Sequence, residues 1–402
     1  MHARRRTSRL LAPLTVAALA LPLALAATPA RAADSPTAGS PTAVSRTAAG
    51  PTAASPTAAV AMGDSYISGE AGRWKGNSLS TSTSRAGTDR AWTGSSYDPS
   101  RVYGASAGNG CDRSDVAEIR SAPTTAQYQI NLACSGATSA NIPRAAGGGQ
   151  SYKGEAPQAD QLAQVARNYN VKLVSLSIGG NDLGFADVII SCVQDYEIWN
   201  SYCHDDQQEA VDSRMDEAMA GVAKSIDEIR AVMTQAGQAP DSYRIVLQSY
   251  PSPIPRSSEN RYPESGWSRT STGGCPFWNQ DADWARDRLV PQISDRLARV
   301  AAAKGVQFLD LRDMLQGREV CSTATRLATP SSPPTATGSE WARFLDFGTT
   351  VQGTIEESFH PNYYGQQALG RCLTLLDAKG GGNWSCRNTA GRDSTGMYLT
   401  AR

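Results

Sequence analysis

Short apolar runs recur along the chain, each followed by a glycine-rich or polar turn and then by a stretch with helical periodicity. The runs at 58–62, 128–133, 173–178, 244–249 and 306–311 have the length and apolar content of buried strands. The clearest helix covers 207–236, where Val211, Met215, Met219, Val222, Ile226, Ile229 and Met233 recur at three- and four-residue steps and so share one face. Further helices are predicted at 159–168, at 281–304 with Pro291 bending or splitting it, and at 365–378. Strands alternating with helices predict a doubly wound α/β fold with a five-stranded parallel sheet. The stretches 73–125, 185–205 and 252–280 carry little periodicity and are predicted as surface loops. In such a sheet the loops leaving the carboxyl ends of the strands build the site, so candidate chemistry is expected in the residues that follow each strand.

The first part of the chain obeys different rules. Arg4, Arg5, Arg6 and Arg9 form a cationic head, Leu10 to Ala27 is apolar, and Ala30-Arg31-Ala32 places small residues at a cleavage position. This predicts a secretory signal over 1–32, cleaved after Ala32, and an extracellular protein. An uncleaved anchor is the alternative, which Pro13, Pro22 and the many alanines weaken. Residues 33–57 repeat Pro-Thr-Ala at Pro36, Pro41, Pro51 and Pro56 and have no large side chains to bury, as a linker or propeptide would. A domain over 58–378 and a Gly-rich tail over 379–402 complete the expected organisation.

The whole chain balances 38 basic against 38 acidic side chains. Removing the leader and its five arginines leaves 33 against 38, a slightly acidic protein with six scattered lysines. No basic stripe could follow a phosphate backbone, so nucleic acid is excluded as a partner. No later segment is apolar enough for stable membrane insertion. Eight cysteines, all after residue 110, suit an oxidising compartment and an even set of disulfides. The run Cys203-His204-Asp205-Asp206 is too slight a pattern for zinc, and no metal or other cofactor is expected.

Four short blocks carry candidate chemistry. The first strand leads into Gly63-Asp64-Ser65-Tyr66, followed by Ser68-Gly69-Glu70; a serine there can sit at a helix N-terminus, where N–H groups favour a developing anion. The second strand leads into Cys134-Ser135-Gly136-Ala137-Thr138, and the third into Gly179-Gly180-Asn181-Asp182. Beyond the leader only His204 and His360 can serve as an imidazole base, and His360 begins His360-Pro361-Asn362 just before a helix. Gly104-Ala105-Ser106-Ala107-Gly108 also matches a G-x-S-x-G nucleophile elbow, but no buried strand precedes it and no helix follows.

Taken together and in order, the four blocks resemble those of the SGNH, or GDSL, hydrolases, in a secreted bacterial lipase and esterase branch. The resemblance spans about residues 58–378. It implies a three-layer α/β/α sandwich and carboxyl-ester hydrolysis, with Ser65 as nucleophile, His360 as base, and Ser65, Gly136 and Asn181 as the oxyanion hole. The family's usual acid stands three residues before the histidine, where this chain has Glu357; that glutamate, or a backbone carbonyl in its place, is expected to orient the imidazole. Locality together with the resemblance gives the pairings Cys111–Cys134, Cys192–Cys203, Cys275–Cys321 and Cys372–Cys386.

The expected substrate is an acyl ester or lipid, taken by a monomer. Trp74, Trp92, Phe185, Ile189, Ile190, Trp199, Trp267, Phe277 and Trp278 on the long loops supply apolar surface for an acyl groove. Acyl transfer to another alcohol and polysaccharide deacetylation would use the same residues, and a non-catalytic binding protein would not need all of them.

Overall fold

The computed structural model describes residues 55–346 and 353–402. The expected leader and nearly all of the Pro-Thr-Ala tract lie outside the described residues. The chain enters through β1 (Thr57–Gly63) and turns at once into a one-turn helix, α1 (Ser65–Ser68). After a long excursion, β2 (Tyr128–Asn131) leads through α2 (Gln158–Asn168) into β3 (Asn170–Ser177). Next come α3 (Phe185–Gln194), the long α4 (His204–Gln235) and β4 (Arg244–Gln248). Two helices, α5 (Asn279–Trp284) and α6 (Val290–Lys304), precede β5 (Gln307–Asp310). The chain ends with α7 (Tyr363–Lys379), β6 (Trp384–Arg387) and β7 (Tyr398–Ala401).

These strands form one sheet in the order β2-β1-β3-β4-β5-β6-β7. All neighbours are parallel except β6 and β7. Nearly every residue of β1 and β3 is buried, as central strands covered on both faces require. One face is covered by α2, α4 and α6 packed side by side. On the other, α7 packs with the turns at 70–73 and 118–121. The result is the expected α/β/α sandwich, with β1 and β3 delivering their C-terminal turns to the middle of one rim.

Three features correct the sequence reading. The sheet has seven strands, not five, because the expected Gly-rich tail folds into β6 and β7. Their residues are mostly half-buried or exposed, so no apolar run announces them; β6 forms because the free edge of β5 is available and Cys386 is bonded to Cys372 of α7. The loop predicted at 185–205 contains α3, whose apolar Val188, Ile189 and Cys192 had no clear polar counter-face to mark it as helical. The helix predicted at 281–304 divides at a wide turn, 285–289, and Pro291 stands at the start of α6, where its missing N–H is harmless.

All eight cysteines are paired, as Cys111–Cys134, Cys192–Cys203, Cys275–Cys321 and Cys372–Cys386. The first ties the 73–125 excursion to the turn after β2, and the second ties the end of α3 to the start of α4. Among the described residues no helix is long and apolar enough to cross a membrane.

Candidate active site

Ser65 opens α1 directly after β1, and the approach leaves no room for a side chain at Gly63: its φ is +135°, and a Cβ there would lie 1.8 Å from the Ser177 carbonyl oxygen. Asp64 caps the helix by accepting the Tyr66 N–H at 3.2 Å. Its other oxygen accepts the Tyr250 hydroxyl at 2.5 Å, and that hydroxyl accepts the Gly180 N–H at 3.1 Å. The turn after β1 is thereby tied to the turn after β3. Burial pushes the Asp64 carboxyl up to about 7, against the pull of the bonds from Tyr250 and the Tyr66 N–H.

His360 reaches this serine from 295 residues away, with Nε2 2.7 Å from Ser65 Oγ. Its Nδ1 lies 3.0 Å from the Ser358 carbonyl oxygen. A carbonyl can only accept, so Nδ1 carries the proton and Nε2 turns its lone pair towards the hydroxyl. The ring also leans on Tyr66, whose hydroxyl donates to the Phe359 carbonyl at 3.1 Å. Although 17% of the imidazole remains exposed, burial pushes it down from 6.5 to about 4, with the Ser358 carbonyl working in the opposite direction. The imidazole is therefore neutral at neutral pH.

Gly136 and Asn181 line the same cavity as Ser65 and His360. One N–H of the Asn181 amide donates to the Ala137 carbonyl at 2.8 Å, which fixes the amide plane and leaves the second N–H for a ligand. Gly136 adopts φ +82° close under Tyr152, where a Cβ would meet the Tyr152 hydroxyl at 2.5 Å.

The structure does not bring Glu357 to the imidazole. Its carboxylate accepts the Tyr103 hydroxyl at 2.7 Å, the Trp74 indole N–H at 2.9 Å and the Thr354 N–H at 3.2 Å. The helical turn at 355–357 directs this side chain into the protein, and the carbonyl of the next residue, Ser358, takes the place beside His360. The expected acid is thus a structural tie, and the partner is a main-chain group. Every residue has a carbonyl, so no residue type could have announced it.

Glu70 is the reverse case, a residue to which the sequence assigned no role. Its Oε2 accepts the Ser135 hydroxyl at 2.7 Å and lies 3.6 Å from His360 Nε2. Burial pushes this carboxyl well above the usual range, which disfavours an anion there. The Ser68-Gly69-Glu70 run shortly after Ser65 is the available signal.

Neither decoy approaches the site. Ser106 is buried in a turn, donating to the Tyr103 carbonyl at 2.6 Å and accepting the Arg113 N–H at 2.8 Å. His204 pairs with Asp281 at 2.7 Å, and its neighbour Cys203 is held in a disulfide, which removes the zinc reading.

The cavity measures about 560 Å³, and apart from the groups above its walls are largely apolar: Phe185, Ile189, Ile190 and Val193 of α3 face Leu345 and Phe359. Of the nine side chains expected in an acyl groove, only Phe185, Ile189 and Ile190 line it. Trp74 and Phe277 are buried elsewhere, and Trp199 and Trp267 are exposed.

The family model described as GDSL-like Lipase/Acylhydrolase matches residues 61–368. The chain belongs to this family. It is similar to Lipase 1 of Streptomyces coelicolor, with 29% identity over 197 residues, or 48% of this chain and 56% of that protein. The chain thus spans little more than half the length of that relative. Among solved structures it is similar to phospholipase A1 from Streptomyces albidoflavus NA297, at 21% identity and TM-score 0.46, covering 80% of this chain and 98% of the other. It is also similar to an extracellular lipase from Streptomyces rimosus, at 23% identity and TM-score 0.42, covering 80% and 99%.

Proposed function

We propose that this protein is an exported serine carboxyl-ester hydrolase of the lipase and esterase kind, with its acyl-enzyme on Ser65. The observation that carries the reading is the 2.7 Å contact between Ser65 Oγ and a His360 of fixed tautomer, at the floor of an apolar cavity. His360 Nε2 takes the Ser65 proton as Oγ attacks the ester carbonyl, and the Ser358 carbonyl holds the resulting imidazolium through Nδ1–H. The same Nε2–H then protonates the departing alcohol, and water repeats the sequence to free the acid. The Ser65 and Gly136 N–H groups and the free N–H of Asn181 receive the oxyanion, at roughly 3 kcal/mol per donor. A carbonyl can orient an imidazolium without a charge, so the site works as a Ser-His dyad.

The walls favour an acyl chain over a sugar, because Phe185, Ile189, Ile190, Val193, Leu345 and Phe359 offer no hydrogen bonds to hydroxyl groups. Similarity to a protein named a lipase points the same way. Residues 1–32 are proposed as the export signal and 33–57 as a linker, with the mature protein a monomer in an oxidising compartment, as its four disulfides suit. The test is a panel of short- and long-chain p-nitrophenyl esters, triacylglycerol, phospholipid and acetylated xylan, run with the intact protein and with Ser65→Ala. Hydrolysis of long acyl esters by the intact protein alone is expected. Release of acetate from xylan with long acyl esters untouched would replace the lipid reading, and equal activity of Ser65→Ala would remove the serine mechanism.

A further inference from the structure

Large apolar side chains left exposed are few among the described residues, and most of them gather at one place. Ile190, Ile198, Trp199, Tyr202, Trp267 and Ile355 are each between 45% and 71% exposed. Ile190 and Ile355 belong to the wall of the cavity over Ser65. From Ile190 the helix α3 runs on through the wide turn 195–199 to Ile198 and Trp199. The loop carrying Trp267 is fastened to that turn: the Tyr196 hydroxyl donates to the Glu264 carbonyl at 2.9 Å, and Thr270 bonds Glu197. Trp278, tilted against Tyr196 with ring centroids 4.7 Å apart, also meets the ring of Tyr202. These side chains therefore form one apolar rim continuous with the cavity mouth, on segments braced by hydrogen bonds and the Cys192–Cys203 disulfide.

We propose that this rim is a docking face for a zwitterionic lipid surface, such as a phosphatidylcholine bilayer, from which an acyl chain passes into the cavity. The proposal rests on the lipid-ester reading above. Two observations select the occupant. The apolar rim leads directly into an apolar cavity, so a chain moving from one to the other never crosses water. The exposed charge around the rim is mostly acidic: 185–202 carries Asp187, Asp195 and Glu197 with no Lys or Arg, although Arg214 meets Asp187 at 3.5 Å, Glu356 lines the cavity, and the Trp267 loop adds Glu264 while its Arg269 is buried. An anionic bilayer attracts basic faces and would be repelled here, whereas a zwitterionic one leaves apolar burial to act alone.

The experiment uses the secreted full-length product carrying Ser65→Ala, so that lipid is bound and not consumed, in co-sedimentation with phosphatidylcholine and phosphatidylglycerol vesicles. Binding to phosphatidylcholine that persists in high salt is expected, and adding Trp199→Ser and Trp267→Ser should weaken it by about tenfold or more, as loss of two buried indoles implies. In the Ser65 background the same two substitutions should leave hydrolysis of p-nitrophenyl butyrate within about twofold, which shows that the fold and the serine are intact. Unchanged partition of the double variant would overturn the proposal, as would binding confined to phosphatidylglycerol and abolished by salt. If the substitutions instead convert a dimer to a monomer without changing partition, the rim is a contact between copies and the proposal fails. An enzyme that cleaves dissolved p-nitrophenyl octanoate yet ignores vesicles would defeat the docking face alone; one that cleaves no long acyl ester would defeat the lipid reading beneath it.

Discussion

The two histidines beyond the leader make an instructive pair. His204, at the start of α4, has what a triad histidine is supposed to have: its Nδ1 lies 2.7 Å from the buried carboxylate of Asp281, which also accepts the Cys203 and His204 N–H groups at 3.2 and 3.1 Å. At its other nitrogen the exposed carboxylate of Asp205 lies 3.8 Å away, and among the described residues no serine bonds it. His360 has no carboxylate on Nδ1, only the Ser358 carbonyl, yet its Nε2 meets Ser65. A His-Asp pair is therefore a stabilising bond unless the free nitrogen faces a nucleophile. The orienting partner sets the tautomer, a task a carbonyl performs as well as a carboxylate. What separates the two is what each imidazole reaches.

Breaking that contrast should be easiest at His360. His360→Ala is expected to lower kcat/KM on a p-nitrophenyl ester by about a thousandfold or more, because serine and base act as a unit. Retention of even a tenth of the rate would move the base elsewhere. Next in size is Asn181→Ala, which should cost roughly 100- to 1000-fold in kcat with KM little changed, as a donor acting on the oxyanion would. An effect confined to KM would reassign Asn181 to substrate positioning.

Protonated His360 cannot accept the Ser65 proton, so activity is lost as pH falls through the imidazole's own value, which burial holds near 4. The rate should be flat from pH 5 to 8 and drop by about tenfold per unit below the limb. This departs from an ordinary histidine base, whose limb would cross pH 6 to 7. Because Glu357 bonds Tyr103, Trp74 and Thr354 and not the imidazole, Glu357→Gln should leave the limb where it is; an upward or downward move would return the carboxylate to the mechanism. The smallest effect is expected at His204. His204→Ala should keep activity within about twofold and lower Tm by roughly 2 °C, through the bond lost to Asp281. A large loss of rate with an unchanged Tm would make the His204 site functional.

The frame of the fold was legible in residue type alone. The apolar runs of β1 to β5 and the periodic helices α2, α4 and α7 are legible because burial on both faces of a parallel sheet, or on one stripe of a helix, leaves a periodic record in residue type. Ser65, Gly136, Asn181 and His360 were legible as candidates that the fold brings to one cavity, since each sits in a short block with its own local geometry. Whatever depended on direction or on a neighbour distant in sequence was set by packing. β6 and β7 exist because an edge of β5 was free, a fact recorded nowhere in their own half-exposed residues. Glu357 has the right spacing and points the wrong way, because a helical turn aims its side chain at Tyr103 and Trp74 while turning the next carbonyl towards His360. Of the loop aromatics, composition could count them, but only packing could send Trp74 and Phe277 inside, set Phe185 on the cavity wall, and leave Trp199 and Trp267 in the open. Residue type fixes what a side chain can do; the direction of the backbone beneath it fixes what it meets.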